Sequence, residues 1–176
     1  MESFESIFDA ETRRRLVGSL VLACGDCDLA EEAAQDALAT AWSQWRRVQR
    51  KGSPQAWVWR CAFNRVTSLS RRRSAERRAI KRLPTWPPSL PETSDVIALR
   101  RAVLTLPKRQ RLAIICRYYA GLSVGETAQA MDCREGTVKA LTSQAIERLR
   151  GMDLIERTDD VNTSAETGGS LTNAGS

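Results

Sequence analysis

Arginines, tryptophans and an asparagine recur near the middle of the chain at spacings that suit a contact with single-stranded nucleic acid. Arg60, Asn64 and Arg65 lie within two helical turns of Trp57. Proteins that hold single-stranded DNA combine a cationic groove with aromatic rings on which unpaired bases stack. Trp57 and its neighbour Trp59 also suit a hydrophobic core, so the sequence leaves their role open.

A second group of candidate contacts lies near the end of the chain, in a pattern that predicts a helix, a turn and another helix. Ser123 is expected to cap the first of these helices, and Glu126 to complete a capping box. Residues 132–134 predict the turn, and the second helix is predicted from about Glu135 to Arg150. The second helix of a helix-turn-helix commonly enters the DNA major groove. A plain helical hairpin is the alternative.

Charge is distributed unevenly along the chain, although the net charge is only +6. Residues 1–45 carry nine acids and three bases, and residues 152–176 carry five acids and one base. Between them, residues 46–82 carry thirteen bases and one acid. This pattern favours an acidic surface that faces protein and a basic surface that faces phosphate.

The chain has five cysteines and no histidine. Cys24 and Cys27 have the spacing of a CxxC motif, but a structural zinc site would need two further ligands. We therefore predict no metal and no cofactor. A thiol redox role for Cys24 and Cys27 stays open as an alternative.

Several functional classes are excluded by what the sequence lacks. We find no paired carboxylates, no nucleophile with a base and no phosphate-binding glycine loop, so we do not expect an enzyme. The sequence has no apolar run of about 18 residues and its acidic N-terminus does not resemble a signal peptide. We expect no membrane insertion and a cytoplasmic location.

Helical periodicity and turn residues predict an all-α fold with two small helical domains. The first covers residues 1–73, with one helix capped by Asp28 and another that begins at Ser53-Pro54. Trp42 and Trp45 are expected in its core. Residues 74–94 hold four of the six prolines and predict a linker. The helix-turn-helix domain covers residues 95–152, and residues 153–176 are predicted to be a disordered tail.

Three blocks of this sequence, in this order, resemble the extracytoplasmic-function (ECF) subgroup of the sigma-70 family of bacterial RNA polymerase sigma factors. They are residues 30–42, residues 54–65 together with the arginines at 71–73, and residues 106–150. The resemblance implies that the first block binds the β′ clamp helices of core RNA polymerase. It also implies that the second block handles the −10 promoter element, and that the third reads the −35 element and meets the β flap.

The resemblance assigns individual residues to these roles. The residues implied in polymerase binding are Glu31, Glu32, Gln35 and Asp36. Those implied in −10 DNA binding are Arg46, Arg47, Lys51, Trp57, Arg60, Asn64, Arg65 and Arg71. Those implied in −35 DNA binding are Arg134, Glu135, Thr137, Lys139, Ala140, Ser143 and Gln144.

The function implied is that of a sigma factor, which binds core RNA polymerase and directs it to −35/−10 promoters. Such a factor contacts both duplex and single-stranded promoter DNA and assists melting of the −10 region. Short factors of this type are commonly held inactive by an anti-sigma factor, so such a partner is implied as well. The alternatives are a stand-alone helix-turn-helix regulator and the thiol redox protein considered above.

Overall fold

The computed structural model describes residues 3–76 and 94–152, and these residues form helices joined by short turns. The helices are α1 (Phe4–Ile7), α2 (Ala10–Cys24), α3 (Cys27–Ser43), α4 (Trp45–Val48), α5 (Pro54–Glu76), α6 (Ser94–Thr105), α7 (Lys108–Ile114), a π-helix (Ile115–Tyr119), α8 (Val124–Met131) and α9 (Glu135–Arg150). The all-α prediction is confirmed. Most of the predicted linker and the whole predicted tail lie outside the described residues.

Within the described ranges, no helix is both long enough and apolar enough to span a bilayer.

Aspartates set the starts of the second and third helices. The Asp9 carboxylate accepts a hydrogen bond of 2.7 Å from the Thr12 amide, which begins α2 after a break that the sequence pattern did not predict. Asp26 caps α3 in the same way, and Gly25 closes α2 in the left-handed conformation at φ 73°. The prediction that Asp28 is the cap was wrong, because α3 begins one residue before it.

The predicted starts of α5, α8 and α9 are confirmed. The Ser53 hydroxyl accepts from the Ala56 amide at 3.2 Å, and Pro54 occupies the first helical position. Ser123 and Glu126 form both hydrogen bonds of the capping box, and α9 has the predicted bounds. Asp132 ends α8 with φ 51°, a left-handed conformation that aspartate tolerates better than most residues.

The π-helix after α7 was not predicted from the sequence. Its wider turn is visible in the 2.8 Å hydrogen bond from the Ala120 amide to the Ile115 carbonyl, five residues back. It places Tyr119 against Gly18 of α2, so closely that a methyl group at Gly18 would overlap the tyrosine hydroxyl. Any side chain at Gly18 would therefore require Tyr119 to move.

The buried side chains form one continuous cluster that draws on both described segments. In residues 3–76, which we call the first unit, Leu16, Leu20 and Trp59 are buried. In residues 94–152, the second unit, Leu106 and Ile115 are buried and belong to the same cluster. The two units therefore pack on one another, and this arrangement sets the geometry of the candidate interfaces.

Candidate interfaces for DNA and polymerase

The residues predicted to read the −35 element lie on the exposed face of α9 and at its N-cap, Arg134. The opposite face is buried through Val138, Ala145 and Leu149, at helical spacing. The residues that remain exposed are Arg134, Glu135, Thr137, Lys139, Ala140, Ser143 and Gln144. A helix anchored on one side and polar on the other can enter a major groove without disturbing its own core.

The capping box fixes the N-terminus of α8 and also ties it to the first unit. The Ser123 amide donates to one Glu126 carboxylate oxygen at 2.9 Å, and the Ser53 hydroxyl of the first unit donates to the other, also at 2.9 Å. Burial acts to raise the pKa of Glu126, but these hydrogen bonds outweigh it and lower the pKa below its usual value. Glu126 is therefore ionised near neutral pH and joins the two units.

Only some of the α5 residues predicted to bind −10 DNA share one face of that helix. Trp57 is half-buried, and Arg60 and Asn64 are exposed beside it; all three line one cavity with Lys51. Trp59 is 1% exposed and donates from its indole nitrogen to the Ser19 hydroxyl at 3.4 Å, so it belongs to the core. Burial therefore distinguishes the two tryptophans: Trp59 is a core residue, whereas Trp57 is partly exposed beside the basic residues.

Arg65 lies on a different face of α5 and contacts α3. Its guanidinium is 2.5 Å from an Asp36 carboxylate oxygen and 3.8 Å from one of Glu32. The structure thus joins one predicted DNA contact to two predicted polymerase contacts. Arg46 and Arg47, on α4, line a separate cavity with Trp42.

Trp42 is 58% exposed, so the prediction that it belongs to the core was wrong. Its ring packs edge-on against Phe4, with the centroids 5.1 Å apart, and this contact fixes the indole on the surface. It follows Gln35 by seven residues and Glu31 by eleven, so these three side chains share one face of α3. The helical spacing could have indicated this face, because Ala33, Ala37 and Ala41 recur every four residues and occupy the buried face of α3.

The helix-turn-helix packs directly on the basic helix of the first unit. Asp132 forms an ion pair of 2.7 Å with Arg60, and Ser53 is hydrogen-bonded to Glu126 as described above. The cavity that contains Trp57, Arg60 and Asn64 is closed on its other side by residues of α8 and the turn, including Gln129 and Asp132. We call this the closed arrangement. In it, one predicted DNA-binding surface faces the other unit.

The thiols of the CxxC motif are protonated at neutral pH. Burial raises the pKa of Cys24 to about 11, and burial also raises the pKa of Cys27. Redox-active thiols require the opposite shift, because the thiolate is the reactive species. Among the described residues, no group of three potential ligands is placed to hold a metal ion.

Comparison with known proteins agrees with this arrangement of helices. The family model for sigma-70 region 2 matches residues 10–76, and the model for sigma-70 region 4 matches residues 97–149. The RNA polymerase sigma-E factor of Streptomyces antibioticus is 30% identical over 123 residues, which is 69% of this chain and 68% of that protein. The ECF RNA polymerase sigma factor RpoE of Cereibacter sphaeroides is 30% identical over 131 residues, covering 69% and 70%.

Solved structures show the same fold. The sigma factor RpoE of Bartonella quintana, in complex with the anti-sigma factor NepR, aligns with a TM-score of 0.68 at 24% identity, covering 83% of this chain and 92% of that one. CnrH, in complex with the cytosolic domain of CnrY, aligns with a TM-score of 0.59 at 18% identity, covering 81% and 82%. The chain belongs to the sigma-70 family of RNA polymerase sigma factors, in its ECF group.

Proposed function

We propose that this sigma factor directs core RNA polymerase to promoters with −35 and −10 elements and assists melting at −10, without catalysing a reaction itself. The observation that supports this proposal is that the two units present different kinds of surface. One unit presents an exposed polar helix face suited to duplex DNA, and the other a basic, tryptophan-bearing helix suited to single strands.

At the −35 element, α9 reads the major groove. Arg134 and Lys139 contact phosphate or guanine, because their donors match those acceptors. Gln144 pairs with adenine, and Glu135 accepts from the exocyclic amine of cytosine. The remaining positions, which have small side chains or hydroxyls, set how closely the helix approaches the base edges; they are Thr137, Ala140 and Ser143.

At the −10 element, α5 holds the unpaired strand. Trp57 offers a ring edge and face beside Asn64, and Arg60 and Lys51 supply positive charge for the backbone. Removing a base from the stack costs a few kcal/mol, which these contacts must offset. Arg46, Arg47 and Arg71, all exposed, extend the cationic path.

Promoter binding requires the closed arrangement to open. The names of the elements place them roughly 25 base pairs apart, which is about 85 Å along B-DNA at 3.4 Å per pair. Two units in contact cannot span that distance. The 17 residues between Glu76 and Ser94 can reach at most about 60 Å. Since α5 itself is about 35 Å long, the chain can bridge the elements once the units separate.

Polymerase binding is proposed for the exposed face of α3. Glu31 and Gln35 lie on the same face as Trp42, so the surface combines acidic charge with one large apolar anchor. Complementary charge would steer this face onto a basic partner such as the β′ clamp helices. Glu32 and Asp36 contribute less directly, because Arg65 pairs with both of them.

We propose that the protein works in the cytoplasm, where core polymerase is found, and that an anti-sigma factor restrains it. Support comes from the complexes formed by two structural neighbours, which were solved with NepR and with CnrY. The second unit meets the β flap when the polymerase is bound. The alternative, a stand-alone helix-turn-helix regulator, would bind duplex DNA tightly without polymerase. An experiment can therefore distinguish a sigma factor from such a regulator.

Run-off transcription tests the proposal. Purified core bacterial RNA polymerase is supplied with fragmented genomic DNA from the source organism, with and without this protein. Discrete start sites that appear only with the protein are the expected result, and aligning them gives the promoter motif. Absence of such starts, together with sequence-specific duplex binding by the protein alone, would refute the proposal in favour of the stand-alone regulator.

A further inference from the structure

A second cavity lies at the boundary between the two units, nearer the C-terminal end of α5 than the Arg60–Asp132 ion pair. Its cations come from both units: Arg71 from α5, and Lys108 and Arg111 from α7. Hydroxyl groups of Thr67 and Ser70 line the same space. No carboxylate is found among the described residues that line it.

Three cations facing one partly enclosed space repel one another. Burial lowers the pKa of Lys108, and the neighbouring charges of Arg71 and Arg111 lower it further. Within the described residues, the ammonium of Lys108 donates a hydrogen bond of 3.0 Å to the neutral Thr67 hydroxyl, which does not offset the repulsion. An anion placed between these groups would remove the repulsion and gain charge-assisted hydrogen bonds.

The guanidinium of Arg111 is already held in place for such a role. One of its terminal nitrogens donates to the Ala23 carbonyl at 2.8 Å and the other to the Leu106 carbonyl at 3.1 Å. Its Nε is buried and has no hydrogen-bond partner in the described structure. The charge is therefore fixed at the cavity wall, which reduces the entropy lost when a ligand binds.

We propose that this cavity binds a small phosphate-bearing anion, with Lys108 and Arg71 as its direct ligands and Arg111 as a fixed positive charge. Because the ligands come from both units, an occupied site favours the closed arrangement over the open one. A free phosphate or pyrophosphate group suits the site better than a DNA backbone, since the cavity exists only while the units remain in contact.

Thermal unfolding and calorimetry of the full chain with sodium pyrophosphate, at ionic strength held constant with sodium chloride, test the site. The wild type should be stabilised by pyrophosphate, and Lys108→Gln and Arg71→Gln should each bind it at least tenfold more weakly. Arg109→Gln is the matched control, because it removes the same charge from the next residue of α7 without touching the cavity. Arg109→Gln should bind pyrophosphate like the wild type.

Small-angle scattering supplies a second readout. Pyrophosphate should shift the wild type toward the closed arrangement, seen as a smaller radius of gyration than in its absence. It should not change the radius of gyration of Lys108→Gln. Equal pyrophosphate responses in Lys108→Gln and the wild type would overturn the proposal. So would a Lys108→Gln variant that loses affinity for a random DNA duplex but keeps its affinity for pyrophosphate, because the cations would then serve the DNA backbone.

Discussion

Breaking the ion pair between Arg60 and Asp132 should make the proposed −10 DNA-binding surface on α5 more accessible. The substitution Asp132→Asn removes the charge and keeps a residue that tolerates the left-handed conformation of this turn, at φ 51°. It also leaves Arg60 intact for DNA. The Ser53–Glu126 contact is a poorer target, because both side chains also cap helices.

The size of the effect follows from the exposure of the pair. The Arg60 side chain is 44% exposed and that of Asp132 is 73% exposed, so solvent screens the 2.7 Å contact. An exposed pair of this kind contributes about 0.5–1 kcal/mol. Its loss should raise the open population about two- to fivefold, and the apparent affinity for single-stranded DNA should rise by the same factor.

The assay is fluorescence anisotropy with a labelled single-stranded oligonucleotide that carries the −10 motif, titrated with the full chain. Glu147→Gln is the control, because it changes the charge of the same unit by the same amount at an exposed position on α9. The gain for Asp132→Asn should shrink toward none near 1 M salt, where the screening length is about 3 Å. Equal gains for both variants would show that net charge alone acts, and the closed arrangement would then not limit DNA binding.

Four further predictions follow from burial and charge. Trp42→Ala should weaken binding to core polymerase about thirtyfold in a direct binding assay, whereas Tyr118→Ala, which removes another exposed aromatic, should not. Lys139→Ala should reduce the salt dependence of −35 duplex binding by about one phosphate contact, seen as a shallower slope in a salt titration. Trp59→Ala should cost about 3–5 kcal/mol in urea unfolding, since its side chain is fully enclosed. Cys24 should react slowly with iodoacetamide at pH 8 and faster as the pH approaches 11, because its raised pKa leaves little thiolate below that value.

Local signals in the sequence predicted much of the fold. The capping box at Ser123, the Ser53-Pro54 start and the bounds of α9 depend on interactions within four residues, so the sequence alone contains them. The break at Asp9 also has a local cap, but apolar residues on both sides of it conceal the signal. The sequence pattern did not indicate the π-helix, which brings Tyr119 against Gly18, a residue about 100 positions earlier in the chain.

The sequence also indicated some features of the candidate sites and not others. The family resemblance assigned the −35 reading residues to the second helix of the helix-turn-helix, and the structure leaves all of them exposed. The size and apolar character of Trp42 suggested a core position, but the four-residue spacing of Ala33, Ala37 and Ala41 puts the buried face of α3 elsewhere and leaves Trp42 exposed. Contacts between distant segments, such as Arg65 with Asp36 and Arg60 with Asp132, could not be predicted from one sequence.

The closed arrangement also bears on how this protein can diverge from its relatives. The contacts with the first unit described above use α7, the π-helix, α8 and the turn at Asp132, whereas the exposed face of α9 carries different residues. Substitutions on that face would change the proposed −35 preference and preserve the contact between the units. Arg60, in contrast, serves both the contact and the proposed −10 surface, so a substitution there alters two properties at once. Mutational drift in this protein should therefore be freer at α9 than at α5.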